Sequence, residues 1–497
     1  MEKRRPTDLE GKQVSLHTDS FYHLLPGTSG EQFCRGTACF VARHLKPDRW
    51  LAALSPEQRV YCLGNCFAAP ASSSDIVRPR MKILSREPIV LGPIIDGPIS
   101  SVSASAARGG YRALEKALSR PPAELISAVE LSGLRGRGGA GFPTGKKWRA
   151  VAEQNGSTKF VIANADEGDP GAYIDRFLLE DDPHRLIEAM AIAGFAVGAA
   201  KGYIYLRKEY PKARVALQQA LLEARRESFL GEGIVHSDFS FDVELVVGQG
   251  SYVCGEETAL LNSIEGRRPE VRLRPPYPSE SGLFGKPSLI NNVETLANIP
   301  WIVRNGGEAF RRLGFSNSRG SKVLSLNSLF RAPGLYEVDF GITIRQIVED
   351  LGGGLKAGTV KGVIIGGPLA GIIPPHLFDT PLGFEELAGI GASVGHGGVI
   401  AFDEFTSIAE LVHHVFDFGA YESCGKCTPC RLGSRWIERL FQQILETGRV
   451  PAHKKKECGE IASALAMTSL CGLGTGLADF AQSALRHYAK ELESCFS

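Results

Sequence analysis

Apolar residues recur along this chain with two different periods, and the way those periods alternate predicts its architecture. Phe160-Val-Ile-Ala-Asn, Lys201-Gly-Tyr-Ile-Tyr-Leu and Phe241-Asp-Val-Glu-Leu-Val-Val are short runs rich in β-branched and aromatic residues and read as strands. Between and around them Tyr111 to Ser119, Pro122 to Ser132, Pro183 to Ala200 and Pro211 to Arg226 carry apolar positions at helical spacing. Strands alternating with helices predict an α/β sheet. After about residue 320 the texture changes. Lys322-Val-Leu-Ser-Leu, Gly334-Leu-Tyr-Glu-Val, a helix from Thr343 to Leu351 and Val360-Lys-Gly-Val-Ile-Ile-Gly-Gly follow the element order of a β-grasp. From Ser407 onward the period is helical almost throughout, over Ser407 to Phe418, Ser434 to Glu446 and Cys458 to Met467. Near the N-terminus Val41 to Leu54 reads as a short helix and Arg59-Val-Tyr-Cys62 as a strand. Gly, Pro and Ser break every run between residues 90 and 108, which reads as a linker.

Composition narrows the function. The 497 residues leave room for about three domains, and 43% hydrophobic with 22% charged residues is an ordinary globular balance. Lys plus Arg number 56 against 55 Asp plus Glu, so no overall field favours nucleic acid or an anionic membrane. The longest apolar segment, Ala189 to Ala200, is too short to span a bilayer, so direct membrane insertion is not expected. Met-Glu-Lys-Arg-Arg-Pro-Thr-Asp at the start has no apolar stretch behind it, so a cytoplasmic protein is expected. The 11 cysteines are then metal ligands or buried thiols before they are disulfides.

Cysteine spacing supplies the first chemistry. Glu422-Ser-Cys424-Gly-Lys-Cys427-Thr-Pro-Cys430 puts three thiols into one short run, and Cys471 follows in Ser469-Leu-Cys471-Gly-Leu-Gly. Three clustered thiolates plus a distant fourth suit a [4Fe–4S] cluster. A zinc site is the rival reading, although zinc more often pairs two C-x2-C halves or mixes in histidine. A second group, Cys34-Arg-Gly-Thr-Ala-Cys39 and Cys62-Leu-Gly-Asn-Cys66, suits a [2Fe–2S] site built from two loops, or is a set of ordinary core cysteines.

Polar loops supply the rest. Gly136-Arg137-Gly138-Gly139-Ala-Gly141-Phe142 fits G-x-G-x-x-G, but a helix rather than a strand precedes it, and no P-loop Ser or Thr follows. What survives is a bare backbone flanked by Arg137, Lys146 and Lys147, able to approach phosphate, or else a flexible turn. Asn164-Ala-Asp166-Glu167-Gly-Asp169 follows a buried strand, where α/β proteins bind ligands, and its carboxylates can accept hydrogen bonds from a sugar chain, bind metal, or merely be solvated. Gly248-Gln-Gly-Ser-Tyr252-Val-Cys254-Gly255-Glu256-Glu257-Thr opens a helix with free amides and two carboxylates, a ligand site or a plain acidic cap. Cys254 has no spaced partner. Ile290-Asn291-Asn292-Val-Glu-Thr295 puts two side-chain amides in a further loop.

Taken together these motifs resemble the NADH-binding flavoprotein subunit of respiratory complex I, a module that recurs in the diaphorase subunit of NAD-reducing hydrogenases and the β subunit of NAD-dependent formate dehydrogenases. The resemblance covers roughly residues 110 to 490. It implies FMN held by Gly136, Arg137, Gly138, Gly139 and Lys147, with Asn164, Asp166, Tyr252, Gly255, Glu256, Asn291, Asn292 and Thr295 completing the site. Glu167, Glu257 and Phe142 would contact NAD(H), Tyr277 would stack on adenine, and Cys424, Cys427, Cys430 and Cys471 would ligate the [4Fe–4S] cluster. The N-terminal cysteines resemble those of the thioredoxin-like [2Fe–2S] subunit that partners this module, with a shorter stretch between the pairs. A ligand set of Cys34, Cys39, Cys62 and Cys66 and a clusterless remnant both remain open.

The expectation is an α/β protein in five parts. A shortened thioredoxin-like unit (1–85) and a linker (86–109) precede a Rossmann-like FMN and NADH domain (110–318), a β-grasp domain (319–405) and a helical cluster domain (406–497). The implied function is electron transfer between NAD(H), FMN and the cluster, without a protein nucleophile, beside other iron–sulfur subunits of a soluble formate dehydrogenase or hydrogenase. A complex I subunit and a non-catalytic electron-transfer scaffold are the alternatives.

Overall fold

The computed structural model describes residues 30–497 except Glu57 and Ser157, so the first part of the expected N-terminal unit lies outside the described residues. β1 (Phe33–Cys34) and β2 (Arg59–Val60) form a small parallel pair. The expected single helix over 41–54 is broken, into Thr37–Val41, a turn at Arg43–Leu45 and Pro47–Ala52. The reason is local. Pro47 has no N–H to continue a helix but a φ suited to starting one.

β3 (Arg80–Ile83) runs parallel to a strand far down the chain, so this stretch of the expected N-terminal unit belongs to a different sheet. The linker that follows is packed rather than loose. Ile89, Val90, Leu91 and Ile94 are buried, and the carboxylate of Glu337 accepts hydrogen bonds from the backbone N–H groups of residues 89, 90 and 91 at 2.8–3.0 Å.

β4 (Phe160–Ala165), β5 (Lys201–Leu206), β6 (Asp242–Val247) and β7 (Ser288–Asn292) make an all-parallel sheet in the order β6-β5-β4-β7. The helices Pro122–Ser132 and Pro211–Arg226 run over the residues predicted, each opened by a proline. The buried helix Pro183–Val197 stops earlier than expected, at Gly198 in the left-handed conformation. β7 corrects the sequence reading of residues 290–292 as a loop. Asn291 and Asn292 end a buried strand paired with β4, in a register that sets Asn292 opposite Asn164.

A short hairpin, β8 (Gly314–Phe315) and β9 (Ser318–Arg319), leads into β10 (Ser321–Leu326), β11 (Gly334–Asp339), β12 (Val360–Ile365), β13 (Ile372–Ile373) and β14 (Gly398–Asp403). With β3 these form a mixed sheet in the order β13-β12-β14-β10-β11-β3. The single crossing helix begins with a Thr343–Gln346 capping box and widens to a π-helical turn over Ile347–Leu351. Four longer helices close the chain, Ile408–Glu422, Thr428–Thr447, His453–Thr468 and Gly472–His487. No helix among the described residues is long and apolar enough to cross a membrane.

Candidate functional site

The C-terminal edge of β4 and β7 is where the polar loops meet. Asn164 donates from Nδ2 to the carbonyl of Gly255 at 2.8 Å, which ties the Asn164–Asp169 loop to the turn before the helix Glu257–Ile264. Asn292 caps the helix Val293–Ala297 by accepting from the Thr295 N–H at 3.1 Å. Asn291 is fixed by the indole N–H of buried Trp148 at 3.1 Å.

The glycine-rich run lies against this edge. Its ends are pinned by hydrogen bonds from Gly136 N to the Phe142 carbonyl and from Thr144 N to the Leu134 carbonyl, both 2.9 Å. A Cβ on Gly138 would stand 2.9 Å from Cβ of Asn292, so only glycine lets the backbone come this close. Gly139, at φ +127°, bridges to Gly395 in the turn before β14. The cradle is therefore built from both large sheets.

Several polar atoms on these loops and just after the glycine run have no hydrogen-bond partner among the described residues. They include Asp166 Oδ2, Ser251 Oγ and Thr144 Oγ1, all buried. Burial pushes the Asp166 carboxyl well above the usual carboxylate range. A buried acceptor without a donor is costly, so these atoms fit a ligand bearing hydroxyls, such as the ribityl chain and phosphate ester of FMN. At the outer side Lys147 Nζ donates to Glu257 Oε2 at 2.9 Å and to the Ile290 carbonyl at 3.1 Å, while Arg274 donates to both Glu256 (2.6 Å) and Glu257 (2.9 Å). Burial works against ionisation of Glu257, but Lys147 and Arg274 hold its pKa below the ordinary value. Phe142 and Tyr277 keep 53% and 52% of their surfaces exposed, as rings awaiting a stacking partner would.

Two sequence expectations are corrected here. Arg137 sends its guanidinium away from the glycine run, fully buried over the Phe340 ring at 4.8 Å and donating to the Arg319 carbonyl at 2.7 Å. Only its backbone serves the loop, donating to Thr295 Oγ1 at 2.8 Å. Glu167 is also sealed inside: its carboxylate accepts the N–H groups of Ile174, Asp175 and Arg176 at 2.6–3.0 Å and the Tyr210 hydroxyl at 3.0 Å. Those four donors leave no free face for a nucleotide. Asp169, two residues on, is half-buried like Asp166 and accepts from the Tyr252 hydroxyl at 2.5 Å.

The C-terminal thiols converge beside this loop cluster. Cys427 caps the helix Thr428–Thr447, Cys430 lies in its first turn, and Cys471 caps the helix Gly472–His487. Cys424 and Cys471 pack with Val253, Ala259 and Val271, against the turn that carries Glu256. Burial raises the Cys430 thiol to about 12, with Cys427, Cys471 and Cys424 adding to the rise, and raises Cys471 to about 11, with Glu256, Cys424 and Cys427 contributing. Four thiols gathered beside one another, Cys424 and Cys430 buried and Cys427 and Cys471 half-buried, fit a metal cluster that would take them as thiolates. Cys254 is buried between Tyr205 and Ser263, and Cys458 lies within a helix apart from the four.

The N-terminal thiols also meet. Cys34, Cys39, Cys62 and Cys66 are all buried; Cys34 contacts Cys39 and Cys62, and Cys62 contacts Cys34 and Cys66. Gly36 N and Gly64 N each donate to a cysteine sulfur, Cys34 and Cys62, at 3.4 Å. Sequence reasoning missed what holds them. Arg207 donates to the carbonyls of both Glu167 and Cys62, and Arg176 donates to the carbonyls of Leu63 and Gly64 and to Asn65 Oδ1. Reaching from the parallel-sheet region to a loop more than a hundred positions earlier, these arginines carry no local signal.

A glycine run against the edge of a parallel sheet, an acidic pair at Glu256 and Glu257 and four gathered thiols suit a flavin and iron–sulfur protein of the NADH-oxidising class. Known proteins agree: residues 129–301 match the Nuo51 FMN-binding domain and residues 410–495 the NADH-ubiquinone oxidoreductase-F iron–sulfur binding region. The chain is 42% identical to an NADH-quinone oxidoreductase subunit of Rhizobium meliloti (strain 1021), over 82% of this chain and 96% of that protein. It is 43% identical to the NADP-reducing hydrogenase subunit HndC of Solidesulfovibrio fructosivorans, over 78% of each. A crystal structure of an NAD+-reducing [NiFe]-hydrogenase in the H2-reduced state matches with a TM-score of 0.82 at 30% identity, over 97% of this chain and 88% of that one. The chain belongs to this family of NADH-binding FMN and [4Fe–4S] oxidoreductase subunits, which work within multisubunit complexes.

Proposed function

We propose that this chain is the diaphorase subunit of a soluble, cytoplasmic NAD-linked complex of the hydrogenase or formate dehydrogenase type, rather than a subunit of complex I. The observation that carries this reading is the N-terminal four-cysteine unit. The likeness to the NAD+-reducing hydrogenase chain extends over 97% of this chain, the region of that unit included. In this reading Cys34, Cys39, Cys62 and Cys66 hold a [2Fe–2S] cluster in a shortened thioredoxin-like unit. The parallel sheet is then a Rossmann-like domain, the mixed sheet a β-grasp domain and the last helices the cluster domain.

When bound, FMN supplies hydride acceptance followed by one-electron return, and the clusters supply one-electron transfer. The chain's own residues bind and orient. Gly138 and Gly139 would admit the flavin to the edge of β4 and β7, Asp166 would accept a hydroxyl of its ribityl chain and Lys147 would hold its phosphate. Glu257 would bind the nucleotide, and the exposed rings of Phe142 and Tyr277 would stack on it and exclude water. The packing of Cys424 and Cys471 against the Val253–Ala259 turn supports an electron exit at these thiols, next to the loops proposed to hold the flavin.

Iron and sulfide analysis with EPR of the reduced protein tests this. Two distinct signals and co-purification with a formate- or hydrogen-oxidising partner are expected. A single cubane signal with quinone-reductase partners would contradict it.

A further inference from the structure

A buried titratable group is costly unless it is paired, and His396 is one that the binding roles above leave unused. It stands in the turn before β14 with 6% of its surface exposed. Three contacts tie it to the flavin cradle. Gly395, its neighbour, bridges to Gly139. Its Nε2 lies 3.5 Å from Nδ2 of Asn292, the side chain that a Cβ on Gly138 would strike. The same Nε2 lies 3.0 Å from Asp175 Oδ2 and 3.3 Å from Glu167 Oε1. Two carboxylates on one imidazole nitrogen need a proton there, because a bare Nε2 would set three acceptors together. Around this ring stand Asp175, Glu167 and Asp169, and opposing them Lys322, whose Nζ donates to the His396 carbonyl at 3.0 Å. Burial alone would depress the ring's basicity, but Asp175 and Glu167 raise it to about 9.

We propose that His396 is a positioning residue for the flavin: a sealed imidazolium behind Gly138, Gly139 and Asn292 that biases the bound flavin toward its reduced form. A hydride leaving NADH carries two electrons and one proton to the flavin and leaves NAD+, so the flavin gains one negative charge. The imidazolium offsets the buried carboxylates of Asp175 and Glu167, and relative to a neutral side chain there it favours that gain in a dry site. The inference rests on the flavin lying against the glycine run, and flavin content is therefore measured separately from potential.

The experiment is an anaerobic spectroelectrochemical titration of the flavin at pH 8.5 in the wild-type chain, His396→Gln and Asp175→Asn. With flavin bound one per chain, His396→Gln lowers the reduced-to-oxidised ratio at fixed potential about tenfold, roughly 30 mV for a two-electron couple. Asp175→Asn removes a negative charge and, with it, the main support for the positive one, so it shifts the ratio less than His396→Gln does. Equal potentials in the wild type and His396→Gln, or a higher potential in that variant, overturn the proposal. Should either variant fail to retain flavin, the wild-type potential followed from pH 7 to 9.5 decides. A slope that steepens near pH 9, where reduction begins to draw a proton onto His396, supports the proposal, and a straight line overturns it. A wild-type chain without flavin overturns the placement on which it rests.

Discussion

At the scale of single residues, the site works by close approach and by where each carboxylate is held. Gly138→Ala forces a methyl to 2.9 Å from Asn292 Cβ, so the variant folds but loses bound flavin, read from absorbance per chain. The two acids that the resemblance sets against NAD(H) differ in their surroundings. Glu257→Gln raises the KM for NADH about tenfold, as loss of a charge-assisted hydrogen bond of ~1.5 kcal/mol would, and weakens rejection of NADPH. Glu167→Gln leaves KM unchanged and lowers the melting temperature, because its oxygens hold the N-terminus of the helix Ile174–Asp181. Unequal KM effects in the opposite sense would reverse these assignments. His396 also predicts a pH dependence. Its folded pKa of about 9 is above the ordinary 6.5, so its stabilisation is complete below about pH 6.5 and is lost as the pH rises through 9. The melting temperature of the wild type therefore falls across that window by more than that of His396→Gln. The motif residues were legible in the sequence because their spacing is local. His396, Asp175 and the true setting of Glu167 were not, since a lone histidine in a glycine turn gains meaning only when the bridge from Gly395 to Gly139 brings it behind the cradle.

At the scale of elements, the chain is legible where one period runs uninterrupted. Pro122–Ser132 and Pro211–Arg226 announce themselves by an opening proline and a helical stripe. β7 was hidden because its last residues are two asparagines, poor strand formers that β4 nevertheless pairs in register. β3 was hidden because its partner, β11, lies far along the chain. The linker was misread as loose because the group that satisfies its amides, Glu337, comes from that same distant strand. The arginines joining the cysteine loop to the flavin loop give an element-scale prediction. Arg207→Ala removes donors to the Glu167 and Cys62 carbonyls, each charged hydrogen bond worth about 1.5–3 kcal/mol, and so loosens the N-terminal thiol site while the flavin stays. Iron per chain falls and flavin per chain does not. Equal loss of both would mean that Arg207 supports the whole fold instead.

At the scale of the whole molecule, the chain brings the glycine run, the Glu256–Glu257 turn and the four C-terminal thiols to neighbouring loops, with a second four-thiol site tied by Arg176 and Arg207 to the loop after β4; on the proposed reading these are the flavin, nucleotide and cluster sites. That order describes a conductor with one two-electron end. The most direct test is anaerobic titration of the purified chain with NADH, followed by visible absorbance and EPR, in the wild type and in Cys427→Ala. NADH bleaches the flavin in both proteins, and only the wild type develops the reduced [4Fe–4S] signal and passes electrons to its partner subunits. Zinc in place of iron at this site, or unimpaired partner reduction by Cys427→Ala, would contradict the account.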